Sequence, residues 1–241
     1  MPPPLSLPHR SLDALARGQA GVVSRAQALA AGLAPAEVDR CVARRRWRPL
    51  HPRVYLVAGH PLTDEARVWA AALWAGEGAV VVGAAALWWH GAGARAPATV
   101  AVAVPHRTAT PRPGVAVRRR VLRPADVVRV RGLAVPVRAL ALLDAAVDAG
   151  SAGAELLHRV LRDGAPADGA LEDGAPGDGV DPVRLRAVVG SAAGTASALR
   201  LVRDLPAAAW TAGATGRSGV TSTAGAPLPE WARSRNRYSE A

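Results

Sequence analysis

The sequence predicts an α+β protein: an N-terminal winged helix-turn-helix, then a small α+β domain and a disordered C-terminal tail. Three observations carry that prediction. Residues 19–57, QAGVVSRAQALAAGLAPAEVDRCVARRRWRPLHPRVYLV, order two short helical patterns, with a glycine turn between them, before two strand-like pieces. Val-rich segments bounded by Pro and Gly follow at 98–104, 114–121 and 127–135, set among stretches of helical periodicity. From 205 onward the chain is Ala, Gly, Ser, Thr and Arg with little periodicity.

Each element has a local cause. Residues 1–9 are proline-rich and expected to be disordered, and 11–17 suggest a first small helix packed behind the rest. Ser24 can cap a helix by accepting from a first-turn N–H, with Val23, Ala26, Leu29 and Ala30 as its apolar face. Gly32 ends it, because a left-handed residue costs glycine nothing, and Leu33 plugs the turn. Pro35 suits the start of the next helix, whose inward stripe is Val38, Cys41 and Val42. Trp47, Leu50, Val54 and Leu56 read as the apolar side of a hairpin, with Arg46, Arg48 and Arg53 turned to water or phosphate. The winged helix-turn-helix therefore spans 10–58, and the α+β domain 59–162.

In that second domain Thr63 caps a helix whose first turn holds Asp64 and Glu65 and which Gly76 ends. Another helix runs from Gly83 to His90, with Leu87, Trp88 and Trp89 as bulky core. The three Val-rich segments come next, then helices at 137–149 and 152–161. Residues 163–181 repeat Asp-Gly and Ala-Pro without an apolar face and read as an acidic flexible linker. A last helix is expected over 182–202, with the tail from 205.

All 30 basic residues are arginine, in a chain of formal net charge +11. Residues 10–138 carry 20 arginines against 7 carboxylates, whereas 139–204 carry 6 against 10. Mutational bias would spread arginine evenly. Here it gathers around the helix-turn-helix, which steers that half of the chain toward polyanions. A helix-turn-helix outline also serves protein-binding and structural modules, but the charge map favours DNA.

Other chemistry finds little support. One cysteine, Cys41, excludes an internal disulfide and reads as a small buried hydrophobe. The histidines at 9, 51, 60, 90, 106 and 158 lack metal-ligand spacing, and His90 reads as a partly buried helix-end residue. No phosphate-binding loop or nucleophile elbow appears, so neither enzyme nor cofactor is expected. Arg118, Arg119 and Arg120 could extend a phosphate-binding surface or form a solvated strand edge. The N-terminus lacks a signal peptide's apolar core, and the longest apolar run, 79–89, is too short to cross a bilayer. A cytoplasmic protein without membrane contact is expected.

The stretch from Gly21 to Val57, followed by HPLTDEARVWAAALWAG and AVVVGAAALWWHG, resembles the AbiEi-type antitoxin family of type IV toxin–antitoxin systems, in particular its actinobacterial relatives. The segment VRGLAVPVRALALLDAAV is similar to that family's strand–turn–helix, and the likeness covers residues 10–162. It implies a winged helix that represses its own operon and a second domain needed for antitoxin action. The implied partner is a nucleotidyltransferase-like toxin, opposed functionally rather than necessarily by contact. Relatives often have glycine where this chain has Arg45 and Arg53. Many continue into a Vsr-like nuclease domain, and nothing after Val202 matches one. The chain thus reads as a relative whose nuclease domain is missing, with the reading frame lost near residue 200.

These readings converge on a DNA-binding, antitoxin-like transcriptional regulator acting on its own promoter. Glu37, Arg40 and Arg44 are placed toward the major groove. Arg25 and Gln27 on the preceding helix, and Arg45, Arg46, Arg48 and Arg53 around the wing, are placed on phosphate. The alternatives are a truncated nuclease relative and a protein-interaction module that neutralises a toxin.

Overall fold

The computed structural model describes residues 7–93, 95–105, 112–163, 180 and 182–205. The expected tail and nearly all of the acidic linker lie outside them. Helices and strands alternate in an α+β arrangement.

The N-terminal part comprises α1 (Leu7–Gly18), β1 (Val22–Ser24), α2 (Arg25–Ala30), α3 (Pro35–Ala43), β2 (Trp47–His51) and β3 (Val54–Val57). Helix α1 starts inside the stretch expected to be disordered. Pro8 lies in its first turn, where a missing N–H breaks no helical bond. Strand β1 is too short for its alternation to be visible, and it pairs antiparallel with β3 to give the sheet order β1-β3-β2. The apolar face expected on α2 does not form. Only Ala28 is buried there, while Ala26, Leu29 and Ala30 are exposed. The Ser24 cap sets the phase of this six-residue helix, and the turn is filled by Leu33 instead.

Strand periodicity gives this sheet two buried faces. Val23, Trp47 and Tyr55 point into a small core with Leu12, Ala28 and Val38. Val22, Val54 and Leu56 point the other way, into the large core beneath α4 (Asp64–Ala75). The wing sheet is therefore the wall between two cores, and the large core continues across position 58.

Helix α4 follows its sequence signals: Thr63 Oγ1 accepts from the Ala66 N–H at 3.1 Å, and Gly76 ends the helix at φ +94°. Next come β4 (Val80–Val82), α5 (Gly83–Trp89), β5 (Val100–Val104) and β6 (Val115–Arg119), in a sheet ordered β4-β5-β6. In β5 the larger residues, Val100, Val102 and Val104, enter the large core, and the alanines between them face the opposite side. The segment expected as one strand at 127–135 is a hairpin, β7 (Val127–Val130) and β8 (Leu133–Pro136). Arg131 and Gly132 turn it, at φ +44° and +80°, the paired positive angles of a tight two-residue turn.

Helices α6 (Arg138–Asp148) and α7 (Gly153–Asp163) close the domain. Leu140, Leu142 and Leu143 on α6 are wholly buried, and α5, α7, α8 and α9 all pack on it. The single helix expected over 182–202 is two, α8 (Pro182–Val188) and α9 (Thr195–Arg203). Gly194 between them is left-handed at φ +78°, which a continuous helix excludes.

Candidate nucleic-acid interface

The two helices of the helix-turn-helix are joined through backbone and caps. The Leu33 N–H donates to the Ala28 carbonyl at 3.1 Å across a turn in which Gly32 has φ +97°. Glu37 Oε2 accepts from the Ala34 N–H at 2.7 Å, closing the start of α3. Gln27 accepts from the Ser24 N–H at 2.9 Å and donates to Gln19 Oε1 at 3.3 Å. Arg25 is half-buried and forks onto Asp39 at 2.5 and 3.3 Å. Donating to Asp39 raises the Arg25 pKa further, and the same bond holds Asp39 below the ordinary carboxylate range. Three of the nine residues placed on DNA by the sequence thus hold partners within the module.

The other six are exposed: Arg40, Arg44, Arg45, Arg46, Arg48 and Arg53. Arg40 sits in the last turn of α3 and Arg44 caps its end. The Arg45 N–H then donates to Val42 O at 3.0 Å and the Arg46 N–H to Cys41 O at 2.9 Å, a Schellman closure. That closure needs a left-handed residue, and Arg45 supplies it at φ +56°. Arg53, in the turn between β2 and β3, is left-handed too at φ +62°, and its carbonyl accepts from the Arg25 N–H at 2.7 Å. The wing turn is thereby tied to the start of α2.

Arg45, Arg46, Arg48 and His60 line an open cleft of about 350 Å³ over Val57 and Pro61. No spacing in the sequence points to His60. It is brought there by Gly21, whose left-handed backbone (φ +83°) lets the His60 side chain lie where a Cβ on residue 21 would come within 2.3 Å of the His60 Cβ. His51, at the end of β2, lies with its ring centroid 5.8 Å from that of Trp74 of α4, the two rings tilted by 43°. Burial, and then the charge of Arg112, lower its pKa. Arg112 is thus a further cation near the wing, outside the helix-turn-helix sequence and not legible from it.

The rest of the molecule is held by pairs that consume arginines. Arg118 bonds Asp148 at 2.7 Å, and Arg120 bonds Asp144 at 2.6 Å and the Ser191 carbonyl. Arg119 is exposed. Asp144 is fully enclosed and also accepts from the Ala193 N–H at 2.8 Å. Enclosure pushes its pKa up against those bonds. Burial also pushes Asp126 upward, but Arg123, the Ser191 hydroxyl and Arg120 outweigh it and hold that carboxyl low. These contacts dock the α8–α9 pair onto β6 and α6. Elsewhere Trp89 donates to Val130 O at 2.7 Å, and Arg131 lies 4.0 Å over its ring. Buried His90 contacts Pro136 O at 2.8 Å, and half-buried Cys41 packs on the small core.

The β4-to-α7 region, with its α5–α6 pairing, matches a known family. Residues 79–174 match the model of the AbiEi antitoxin C-terminal domain. That match supports an antitoxin role in a toxin–antitoxin system. It takes in β4–β8, α5, α6 and α7, and α1–α4, β1–β3 and α8–α9 fall outside it. Among solved structures, the RV2827C protein from Mycobacterium tuberculosis is similar at 20% identity and a TM-score of 0.45, over 88% of this chain and 82% of that one. No curated protein matches the chain. Among the described residues, no helix is long and apolar enough to cross a membrane, and no three His, Cys, Asp or Glu side chains gather to hold a metal.

Proposed function

We propose that this AbiEi-domain chain is an antitoxin-type transcriptional regulator that binds double-stranded DNA at its own promoter and represses its operon. One observation carries the reading: six exposed arginines follow one another from the end of α3 through the closure and the wing. Arg40 and Arg44 face base edges in the major groove. Arg45, Arg46, Arg48 and Arg53 bind phosphate and fix register. Arg25, Gln27 and Glu37 serve the interface by holding its helices, through the Asp39 pair, the Ser24 box and the Ala34 cap. The toxin it opposes is a nucleotidyltransferase-like protein, countered functionally rather than through required contact.

Binding to the promoter fragment and to a scrambled duplex, across a salt series, tests this. Preference for the promoter is expected, with log K falling against log salt at a slope of about −4 for four phosphate contacts. Equal affinity for both duplexes would reduce the cluster to a generic basic surface.

A further inference from the structure

The α8–α9 pair carries an open groove outside the AbiEi domain and outside the arginines assigned to DNA. Its volume is about 890 Å³, with Val189, Leu199 and Val202 among its apolar walls and Arg186, Arg200 and Arg203 at its rim. Leu199 is 55% exposed, in the middle of a helix whose Ala198 and Val202 are buried. Solvating a leucine there while the neighbouring positions pack leaves one large aliphatic side chain unused by the fold, beside the edges of Val189 and Val202. The rim has one sign of charge although residues 139–204 are acidic overall. Arg203 pairs with Asp204 at 3.2 Å, exposed on both sides and weak, and Arg200 reaches the Ser197 hydroxyl at 3.4 Å.

We propose that this groove docks an amphipathic helix of a partner protein, with aliphatic residues along one face and Asp or Glu flanking them. The helix-in-groove mode needs an apolar trough plus charges that set register, and both are present. The chain's own flanking segments make poor occupants, one by its charge and the other by its lack of an apolar face. Residues 205–241 hold four arginines against two carboxylates and would be repelled by the rim. Residues 164–179 are acidic, but Leu171 is their one large aliphatic side chain. The proposal stands apart from the DNA reading, since none of its residues belongs to the winged helix.

The test uses the full chain and two fluorescein-labelled 16-residue helical peptides with the same leucine stripe, one flanked by Glu and one by Lys. Anisotropy titrations are expected to show the Glu peptide binding at least tenfold more tightly. Leu199→Asp should remove that binding with an unchanged melting temperature, and the Arg200→Glu/Arg203→Glu pair should reverse the preference toward the Lys peptide. Arg44→Ala/Arg48→Ala should leave it intact, which separates the groove from the DNA face. Equal binding of both peptides, no binding of either, or survival of binding in Leu199→Asp overturns the proposal. Tighter peptide binding after deletion of residues 164–179 overturns it in favour of the linker. Concentration-dependent self-association abolished by Leu199→Asp overturns it in favour of a second copy.

Discussion

Arg45 and Arg53 hold left-handed backbone where glycine would sit without strain, and both are exposed guanidinium groups beside the wing. Local stability and charge therefore pull against each other at these two positions. Replacing either by glycine should raise stability by about 1 kcal/mol, seen as a higher melting temperature. The same replacement should weaken the proposed DNA binding on every sequence and flatten the salt slope by about one unit. Arg40→Ala differs, because the base contact proposed for it discriminates: it should cost about 1–3 kcal/mol on the promoter and far less on a scrambled duplex. Gel shifts on both duplexes separate these outcomes.

At the scale of elements, the helix-turn-helix is joined to α4 and the AbiEi domain by close approach rather than by a linker. Gly21 admits His60 against the backbone between α1 and β1. Gly21→Ala adds both a left-handed penalty and a clash, so a loss of about 2–3 kcal/mol is expected in urea unfolding. His51 joins β2 to α4 through Trp74, and burial followed by Arg112 keeps its pKa below the ordinary 6.5. The folded state then binds that proton more weakly than the unfolded chain does. Its contribution is full above about pH 6.5 and is lost as pH falls from there through the lowered folded value. The melting temperature should drop between pH 7.5 and 5.5, and His51→Asn should narrow the drop. Asp39 and Asp64, both held low by their arginine partners, act only in a more acidic range.

For the whole molecule, the consequence lies in the two-faced sheet. Val22, Val54 and Leu56 belong to the large core, so residues 7–62 cut out alone would leave one face of the wing sheet in water. Such a fragment should lack a cooperative thermal transition by circular dichroism, whereas residues 7–205 should retain one. A fully cooperative fragment would mean the small core suffices. The shared core also makes the AbiEi domain a rigid neighbour of the proposed DNA-binding module rather than a tethered one.

Much of this was legible in the chain because its causes are local. Ser24, Thr63, Pro35 and the glycines at 32 and 76 act within one turn of themselves, so α2, α3 and α4 could be bounded from sequence. The exposed arginines from 40 to 53 follow from the same short-range periodicity. The sequence could not show β1, a three-residue strand defined by pairing with β3, thirty residues on. Nor could it show that Arg25, Arg118 and Arg120 are paired to carboxylates distant in the chain, or that His60 and Arg112 come to the wing. Those depend on long-range packing, in which burial and partner choice are settled by the fold as a whole. Sequence alone determined the bounds of α2, α3 and α4 and the basic face. Tertiary structure decided which of those charges stay exposed, because pairing spans segments that no local pattern connects.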